Sequence, residues 1–249
     1  MIILSVLFFI TAILYSSVGF GGGSTYLALL LIWDIPYYIF PVIALMCNII
    51  VVSGNSFNYI RAGNHNFKLL LPFLIGSIPF AYLGGTLKID KEFFEILLFF
   101  VLSIAGILLL INNKSYENNN LIIKKINFIY SLIIGSILGL VSGIVGIGGG
   151  IFLSPILFLL NAEKPKIIAT TASLFILINS ISGILGQFTK DKTFDELINY
   201  WPLFLSVLIG GLIGNYLNLK IFSNRTLTIL TSLLVIFVSI RIGVKIFLN

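Results

Sequence analysis

Glycine is the residue type whose spacing in this chain points most directly to chemistry. The chain carries two runs of three adjacent glycines, 127 residues apart, within long apolar stretches: Gly21, Gly22, Gly23 and Gly148, Gly149, Gly150. Glycine reaches backbone conformations closed to other residues, including successive N–H groups turned to one side, and such a nest binds anions. A helix that begins directly after the nest adds the positive end of its dipole. The two runs therefore predict two matched anion-binding breaks in helices.

Polar side chains inside apolar segments are the second group that could bind a ligand. Hydroxyl and amide groups can hold an oxyanion without a fixed positive charge. The alternative, open for each residue, is a hydrogen bond between helices, worth about 0.6 kcal/mol on average. We expect the following side chains to complete a substrate site with the glycines: Ser24, Thr25, Asn48, Thr170, Thr171 and Asn179.

The residues needed for catalysis or metal binding are scarce. The single histidine, His65, lies in a polar loop, and the single cysteine, Cys47, lies in an apolar run. A His/Cys metal cluster is therefore excluded, and no pair of buried carboxylates or Walker motif is evident. We expect no catalytic residues, no metal and no cofactor. An intramembrane enzyme is the weaker alternative, because it would need a nucleophile with a base, a carboxylate pair or a metal.

The amino-acid composition shows whether these residues lie in a soluble domain or in a membrane. Hydrophobic residues make up 58% of the 249 residues and charged residues 10%, and the mean hydropathy is +1.11. Soluble domains carry about 25% charged residues. The chain is therefore predicted to be an all-α, polytopic integral membrane protein. Its net charge of +6 is scattered between the apolar segments, which indicates loops near anionic lipid rather than nucleic-acid binding.

The apolar segments occur as two sets of five. A first transmembrane repeat is expected over 1–111, a polar linker over 112–124 and a second repeat over 125–249. The two sets match beyond the glycine runs: Pro72 and Pro202 are 130 residues apart, as are Gly84 and Gly214. Such a constant offset indicates one transport domain built from two fused halves. The expected segments are 2–17, 24–33, 37–59, 67–87, 93–111, 125–143, 151–160, 167–189, 197–219 and 226–247.

The glycine runs leave the direction of the repeats open. Residues 2–33 are too long for one straight span and too short for two. If each run is a kink in one tilted helix, each half crosses an even number of times and the repeats are parallel. If each run is the tip of a hairpin that dips into the membrane, the number is odd and the repeats are inverted. The short second piece, 151–160, favours inversion. The counts of Lys and Arg, nine against six on the two sides, do not decide.

The duplicated glycine pattern resembles the sulfite exporter TauE/SafE family of membrane transporters. The first copy is Gly-Phe-Gly-Gly-Gly over 19–23, with Pro41 and Ala44 after it, and the second is Gly-Ile-Gly-Gly-Gly over 146–150, with Ala169 and Thr170 after it. The resemblance covers essentially the whole chain. It implies about eight spans, built from a duplicated four-span unit with glycine-broken helices 1 and 5. It also implies transport of sulfite, sulfonates or related organosulfur anions.

These observations together predict a secondary transporter, an exporter or permease, of a small oxyanion bound between the two breaks. An anion channel would share every feature of the sequence and stays open as an alternative. The expected partners are the small anionic substrate and the lipid bilayer, without nucleic acid, and a homo-oligomer stays open. The expected location is the cell membrane of a bacterium or archaeon, as a multi-pass protein.

Overall fold

The structure is a computed structural model, and it describes residues 1–33, 35–111, 123–190 and 196–218, with isolated positions after 218. Its described regular elements are helical, and short 3₁₀ turns precede two of the helices, at Tyr37–Ile39 and Ile198–Tyr200. We number the α-helices in chain order: α1 Ile2–Val18, α2 Gly23–Ile32, α3 Phe40–Arg61, α4 Phe67–Thr86, α5 Lys91–Ile111, α6 Phe128–Val145, α7 Gly150–Leu159, α8 Pro165–Gln187 and α9 Trp201–Asn218.

Length and apolarity qualify many of these helices as membrane spans. Within the described residues, five helices are long and apolar enough to cross a membrane, namely α3, α4, α6, α8 and α9. Helices α1, α2 and α7 are equally apolar but shorter. The all-α membrane fold predicted from composition is therefore confirmed, whereas the count of eight spans stays a prediction. Most of the predicted linker, 112–122, lies outside the described residues, as does Arg241 in the last apolar segment.

The first glycine run is the tip of a hairpin. Helix α1 ends at Gly19 and α2 begins after Gly22, and both glycines have left-handed backbone, with φ of 84° and 87°. Across the hairpin, the hydroxyls of Tyr15 and Thr25 are hydrogen-bonded at 2.7 Å, and the ring of Phe8 stacks on Tyr26 with centroids 4.7 Å apart. Helix α2 therefore folds back along α1 instead of continuing it.

The second run forms the matching hairpin. Helix α6 ends at Gly146 and α7 begins after Gly149, with φ of 90° and 75°. At the far end of α7, the Asn161 carbonyl accepts a hydrogen bond of 3.0 Å from the N–H of Lys124, which precedes α6. The start of α6 and the end of α7 thus lie at the same end of the molecule. Both breaks separate two helices, and neither is a kink in a continuous one.

Glycines also set how the first helix of each half packs. A Cβ at Gly214 on α9 would collide with the Ile13 carbonyl oxygen on α1, and one at Gly84 on α4 would collide with the Leu140 carbonyl oxygen on α6. The pairs match, because Ile13 and Leu140 are 127 residues apart. Small residues at such crossings let helix backbones touch. The first helix of each half therefore packs on the fourth helix of the other.

The contacts along each helix pair give the relative directions of the helices. Helix α1 runs parallel to α9, because Phe9 contacts Gly210 and Ile13 contacts Gly214. Helix α4 runs parallel to α6 and α8, and α3 runs parallel to α9, by the same comparison of successive contacts. Helices α3 and α8 are antiparallel, because Leu45 lies beside Gly183 while Ser56 is hydrogen-bonded to Ser173, nearer the start of α8.

These directions make the halves inverted. Helices α1, α3 and α9 run one way, and α4, α6 and α8 run the other, so α1, α3 and α4 oppose their respective counterparts α6, α8 and α9. This agrees with the hairpin interpretation. The resemblance implied a duplicated four-span unit, whose even number of crossings would make the halves parallel, and the helix directions correct that expectation. The physical reason is the hairpin itself: because each glycine run turns the chain back, α3 begins at the same end of the bundle as α1, and α8 begins at the same end as α6.

Two hydrogen-bonded bridges join the halves at opposite ends of the bundle. At the end where α3 begins, which we call the Tyr38 end, the Tyr38 hydroxyl donates to the carboxylate of Glu196, 2.6 Å from the nearer oxygen. At the other end, which we call the Asn66 end, the Asn66 amide donates to the Glu163 carboxylate at 3.3 Å. Each bridge links the loop before the third helix of one half to the loop after the third helix of the other. The bridges therefore obey the same two-fold relation as the helices.

Candidate functional site

The two breaks meet at one side chain, the Asn48 amide on α3. Cβ atoms at Gly23 and Gly148 would lie 2.7 and 2.9 Å from Asn48 Nδ2, and one at Gly21 would collide with its Oδ1. Nδ2 donates to the Ile147 carbonyl at 3.1 Å, which fixes the amide orientation, since the reversed amide would place two oxygens together. Asn48 is fully buried. The structure thus brings together four predicted residues, from both halves of the chain.

The same amide leaves an acceptor without a described partner. Among the residues that the structure describes, Asn48 Oδ1 is a buried atom that makes no hydrogen bond. An unpaired buried polar group costs about 1–3 kcal/mol. Nearby, none of the described hydrogen bonds is donated by the backbone N–H of Gly21, Gly22, Gly23 or Ser24, as expected for the unpaired first turn of a helix. Unused polar groups therefore surround the first break.

Hydroxyl groups cover the start of α2. The Tyr15 hydroxyl lies 2.7 Å from that of Thr25 and 3.4 Å from that of Ser24, and all three residues are buried. The neighbouring Tyr26 hydroxyl is buried and has no described partner. Ser24 and Thr25 were predicted from their place after the break, and the structure adds Tyr15 and Tyr26 to them. We call Tyr15, Ser24, Thr25 and Asn48 the polar face of the first break.

The second break presents an apolar face at the matching positions. Gly148 and Gly150 pack against Ile176, which stands where Asn48 stands for Gly21 and Gly23. Ile151 and Phe152 lie 127 residues after Ser24 and Thr25, and both are buried. The counterpart of Tyr15 is Ser142, whose buried hydroxyl has no described partner. The two breaks share their backbone geometry but not their side-chain chemistry.

Three predicted residues on α8 make hydrogen bonds to their own helix and not to the residues at this meeting point. The hydroxyls of Thr170 and Thr171 donate to carbonyls one turn back on their own helix, at 2.9 and 2.8 Å. Asn179 likewise donates to the Phe175 carbonyl at 2.8 Å, and its Oδ1 is buried without a described partner. Their roles stay predictions. Among the polar side chains of α8, Ser180 reaches the second break, since its Oγ would be 3.1 Å from a Cβ at Gly148.

Sequence reasoning missed Tyr15, although a signal for it existed. If the chain turns back at residue 20, residues equally far on either side of the turn face each other, and Tyr15 pairs with Thr25. That inference requires the hairpin to be known, because a kinked continuous helix would place the two residues on successive turns. The Ser56–Ser173 contact at 3.1 Å between α3 and α8 was missed for the same reason, since it depends on the antiparallel crossing.

Charge lies at the ends of the described helices. Glu95, near the start of α5, is the one charged residue among those buried in the described part of the chain, and its carboxylate lies 4.0 Å from Lys91 Nζ. The described segments hold no group of three or more His, Cys, Asp or Glu side chains that could bind a metal. Donors near the breaks are consequently amides, hydroxyls and backbone N–H groups.

Comparison with known proteins gives a consistent result across the chain. The sequence model of the family described as sulfite exporter TauE/SafE matches residues 4–242. A protein of Sinorhizobium fredii named probable membrane transporter protein y4hK is 26% identical over 234 residues, covering 93% of each chain. Probable membrane transporter protein MJ0441 of Methanocaldococcus jannaschii is 29% identical over 192 residues, covering 74% of this chain and 70% of its own.

A third relative extends the similarity to another bacterium. Probable membrane transporter protein YunE of Bacillus subtilis is 22% identical over 260 residues, covering 94% of each chain. No solved structure matches the chain. The family match spans nearly the whole sequence and agrees with the helical, multi-pass architecture. The chain therefore belongs to the sulfite exporter TauE/SafE family of integral membrane transporters.

Proposed function

We propose that the protein is a secondary transporter of a small oxyanion, sulfite, a sulfonate or a related organosulfur anion, that binds where the two glycine breaks meet. The observation that carries the proposal is the Asn48 amide, which donates to the second break while its unpaired Oδ1 lies against the first. A group held by both halves senses their relative position. That is the property that a carrier with a site between two repeats requires.

The chemistry around Asn48 supports an oxyanion as the cargo. Backbone N–H groups at the start of α2 and the hydroxyls of Ser24 and Thr25 are hydrogen-bond donors that suit sulfonate or sulfite oxygens. The family match and the relatives' names support transport in general, and the choice of a sulfur oxyanion is our inference. We further propose that Gly149, Gly150, Thr170, Thr171 and Asn179 line the opposite side of the passage.

The direct test is flux into proteoliposomes that contain the purified protein. Sulfite, sulfoacetate, taurine, thiosulfate and sulfate would be offered in turn, with protein-free liposomes and liposomes containing Gly22→Val as controls. We expect saturable uptake of at least one of these anions by the wild-type protein and background uptake in both controls. Uptake of none of them would refute the proposed substrate class.

The same assay separates a carrier from a channel. A carrier exposes its site to one side at a time, so unlabelled substrate inside the vesicles should accelerate entry of labelled substrate. A channel would give uptake that does not saturate and does not depend on substrate inside. The second result would keep the anion site but replace the transport mechanism.

A further inference from the structure

The polar face of the first break and the apolar face of the second have unequal capacities to bind an anion. We infer, building on the proposed function, that the first break alone carries substrate recognition, that Tyr15 is one of its binding residues, and that its uncharged donors select singly charged anions. The second break then serves as an apolar wall that completes the enclosure. The geometry of both faces supports each of these steps.

The first step is the placement of Tyr15. Its hydroxyl lies within hydrogen-bond distance of Thr25 and Ser24 at the start of α2, and its ring belongs to a buried cluster with Val52 and Ile176 of α3 and α8. Val52 is one helical turn beyond Asn48. Tyr15 thus sits between the hairpin tip and the crossing of the two third helices, where an anion bound at the break would contact it.

The second step concerns what the polar face leaves unused. The Tyr26 hydroxyl is buried and without a described partner, and the first N–H groups of α2 donate none of the described hydrogen bonds. These groups are donors, which an oxyanion can satisfy, whereas Asn48 Oδ1 is an acceptor and adds nothing to anion binding. At the second break, the matching side chains Ile151, Phe152 and Ile176 have no polar atoms, and the Ser180 hydroxyl beside Gly148 is an unpartnered polar group described there. A ligand that satisfies unpaired groups gains binding free energy that an apolar wall cannot supply.

The third step concerns the charge of the ligand. Among the described residues, none of the buried side chains is a lysine or arginine, so the first break offers dipoles and hydroxyls but no described cation. The cost of removing an ion from water rises with the square of its charge, so a dianion costs about four times as much as a monoanion of equal size. Uncharged donors therefore favour sulfonates and bisulfite over sulfate and the sulfite dianion.

The closing experiment measures Km and maximal flux in proteoliposomes for variants of matched positions in the two halves. Tyr15→Phe and Thr25→Val each remove one hydroxyl and nearly conserve volume, and Ser142→Ala, which removes the hydroxyl at the position matching Tyr15, is the control in the second half. We expect the first pair to raise Km for a transported sulfonate about tenfold, the loss expected for one hydrogen bond to a charged group. We expect Ser142→Ala to change Km less than about twofold.

A structural role for Tyr15 would give a different result. If its hydroxyl only clamps α2 to α1, Tyr15→Phe lowers the melting temperature and maximal flux and leaves Km unchanged. Thermal unfolding of each purified variant separates these outcomes. Equal effects at Tyr15 and Ser142, or an unchanged Km in Tyr15→Phe, would overturn the one-sided inference while leaving the proposed function intact, provided that the wild-type protein transports.

Selection for single charge is tested by pH. Sulfite uptake should rise as the pH falls through neutrality, because bisulfite replaces the dianion, whereas uptake of a sulfonate that keeps one charge should be flat over the same range. Sulfate should neither be transported nor inhibit. Sulfite uptake that rises with pH, or efficient transport of sulfate, would overturn the inference about charge. Loss of all uptake in the wild-type protein would instead refute the proposed function.

Discussion

The two halves of the molecule share a backbone but differ in what they place on it. In the first half, the hairpin tip faces an amide, two tyrosines, a serine and a threonine. In the second half, it faces isoleucine and phenylalanine at the matching positions, with Asn48 and Ser180 as its polar neighbours. The crossing of α3 and α8 is equally unequal: Ser56 and Ser173 are hydrogen-bonded nearer the Asn66 end, whereas Leu45 packs on Gly183 nearer the Tyr38 end. Pseudo-symmetry of the fold therefore does not extend to polarity.

This comparison separates two roles for the glycines. At positions where both halves keep glycine, the backbone demands it, as at Gly22 and Gly149, which start α2 and α7 with positive φ. At the side chains that touch the glycines, the halves have diverged. The side chains that bind substrate can change in one half only as long as the other half still folds and moves together with it. The predictions below ask whether function follows the shared backbone or the unequal chemistry.

The largest effect should come from the shared backbone. Gly22→Val and Gly149→Val each place a β-branched residue at a positive φ, of 87° and 75°, which such residues rarely adopt. We expect both variants to lose transport completely in the proteoliposome assay while fluorescence-detected gel filtration still shows a monodisperse protein. A well-folded variant that transports normally at either position would show that this break is dispensable.

An all-or-none labelling experiment tests the inverted arrangement itself. Single cysteines at Asn64 and Thr189, in a Cys47→Ala background, lie after α3 and after α8, which run in opposite directions. We expect an impermeant thiol reagent added to intact cells to label one of them and to reach the other only after lysis. Labelling of both, or protection of both until lysis, would restore the parallel arrangement and contradict the helix directions described here.

A smaller effect should distinguish Asn48 from Ile176, the residue that takes its place at the second break. Asn48→Leu removes the hydrogen bond that joins α3 to Ile147 of the second break. Because the two breaks then lose their common polar contact, we expect Km to rise about tenfold and the free energy of unfolding to fall by about 1 kcal/mol. Ile176→Leu conserves volume and should change Km little. Km values from flux and melting temperatures check both. Equal Km changes at the two positions would indicate that recognition is two-fold symmetric after all.

The smallest effect should come from the cations that end the two third helices. Lys190 and Arg61 are 129 residues apart, which lies between the offsets of 127 and 130 that relate the two halves. Burial, aided by the nearby charge of Lys88, lowers the pKa of Lys190 to about 8. Between this value and the usual lysine pKa the unfolded chain binds more protons, so stability should increase as the pH rises from about 8 towards 10.

Melting temperatures measured across this pH range check the prediction. Lys190→Gln should remove this part of the pH dependence, whereas Arg61→Gln, at the exposed end of α3, should leave it in place. An unchanged profile in Lys190→Gln would show that another group causes any rise in stability.

Much of the fold was predictable because glycine spacing reports backbone geometry directly. Gly84 and Gly214, which the sequence offset pairs, lie at matching helix crossings in the structure. Each is packed against a backbone carbonyl of the first helix of the other half. Length favoured the hairpins over kinks without deciding between them, since the piece after the second break is too short to span. The family resemblance was confirmed by the comparisons, while its parallel duplication was wrong for the helix directions.

The side chains of the candidate site were less predictable, for a physical reason. A polar residue in an apolar helix can satisfy itself on its own backbone, as Thr170 and Thr171 do, and the sequence does not reveal that choice. Tyr15 became visible only once the hairpin placed it beside Thr25. Asn48 was predicted for its polarity, but its contact with both breaks depends on how α3 lies between the two hairpins.

The unequal polarity of the two ends has a thermodynamic consequence. A carrier with a polar approach on one face and an apolar approach on the other can have different Km values for entry and exit. When the electrochemical potential of the anion is equal on both sides, however, the net flux through an uncoupled carrier must still be zero, because a bound ligand can bias two states only by its differential affinity for them. The asymmetry around Asn48 and the α3–α8 crossing can therefore make transport faster in one direction than in the other when a substrate gradient is present. The direction of accumulation has to come from a gradient, either of the substrate or of a coupled ion.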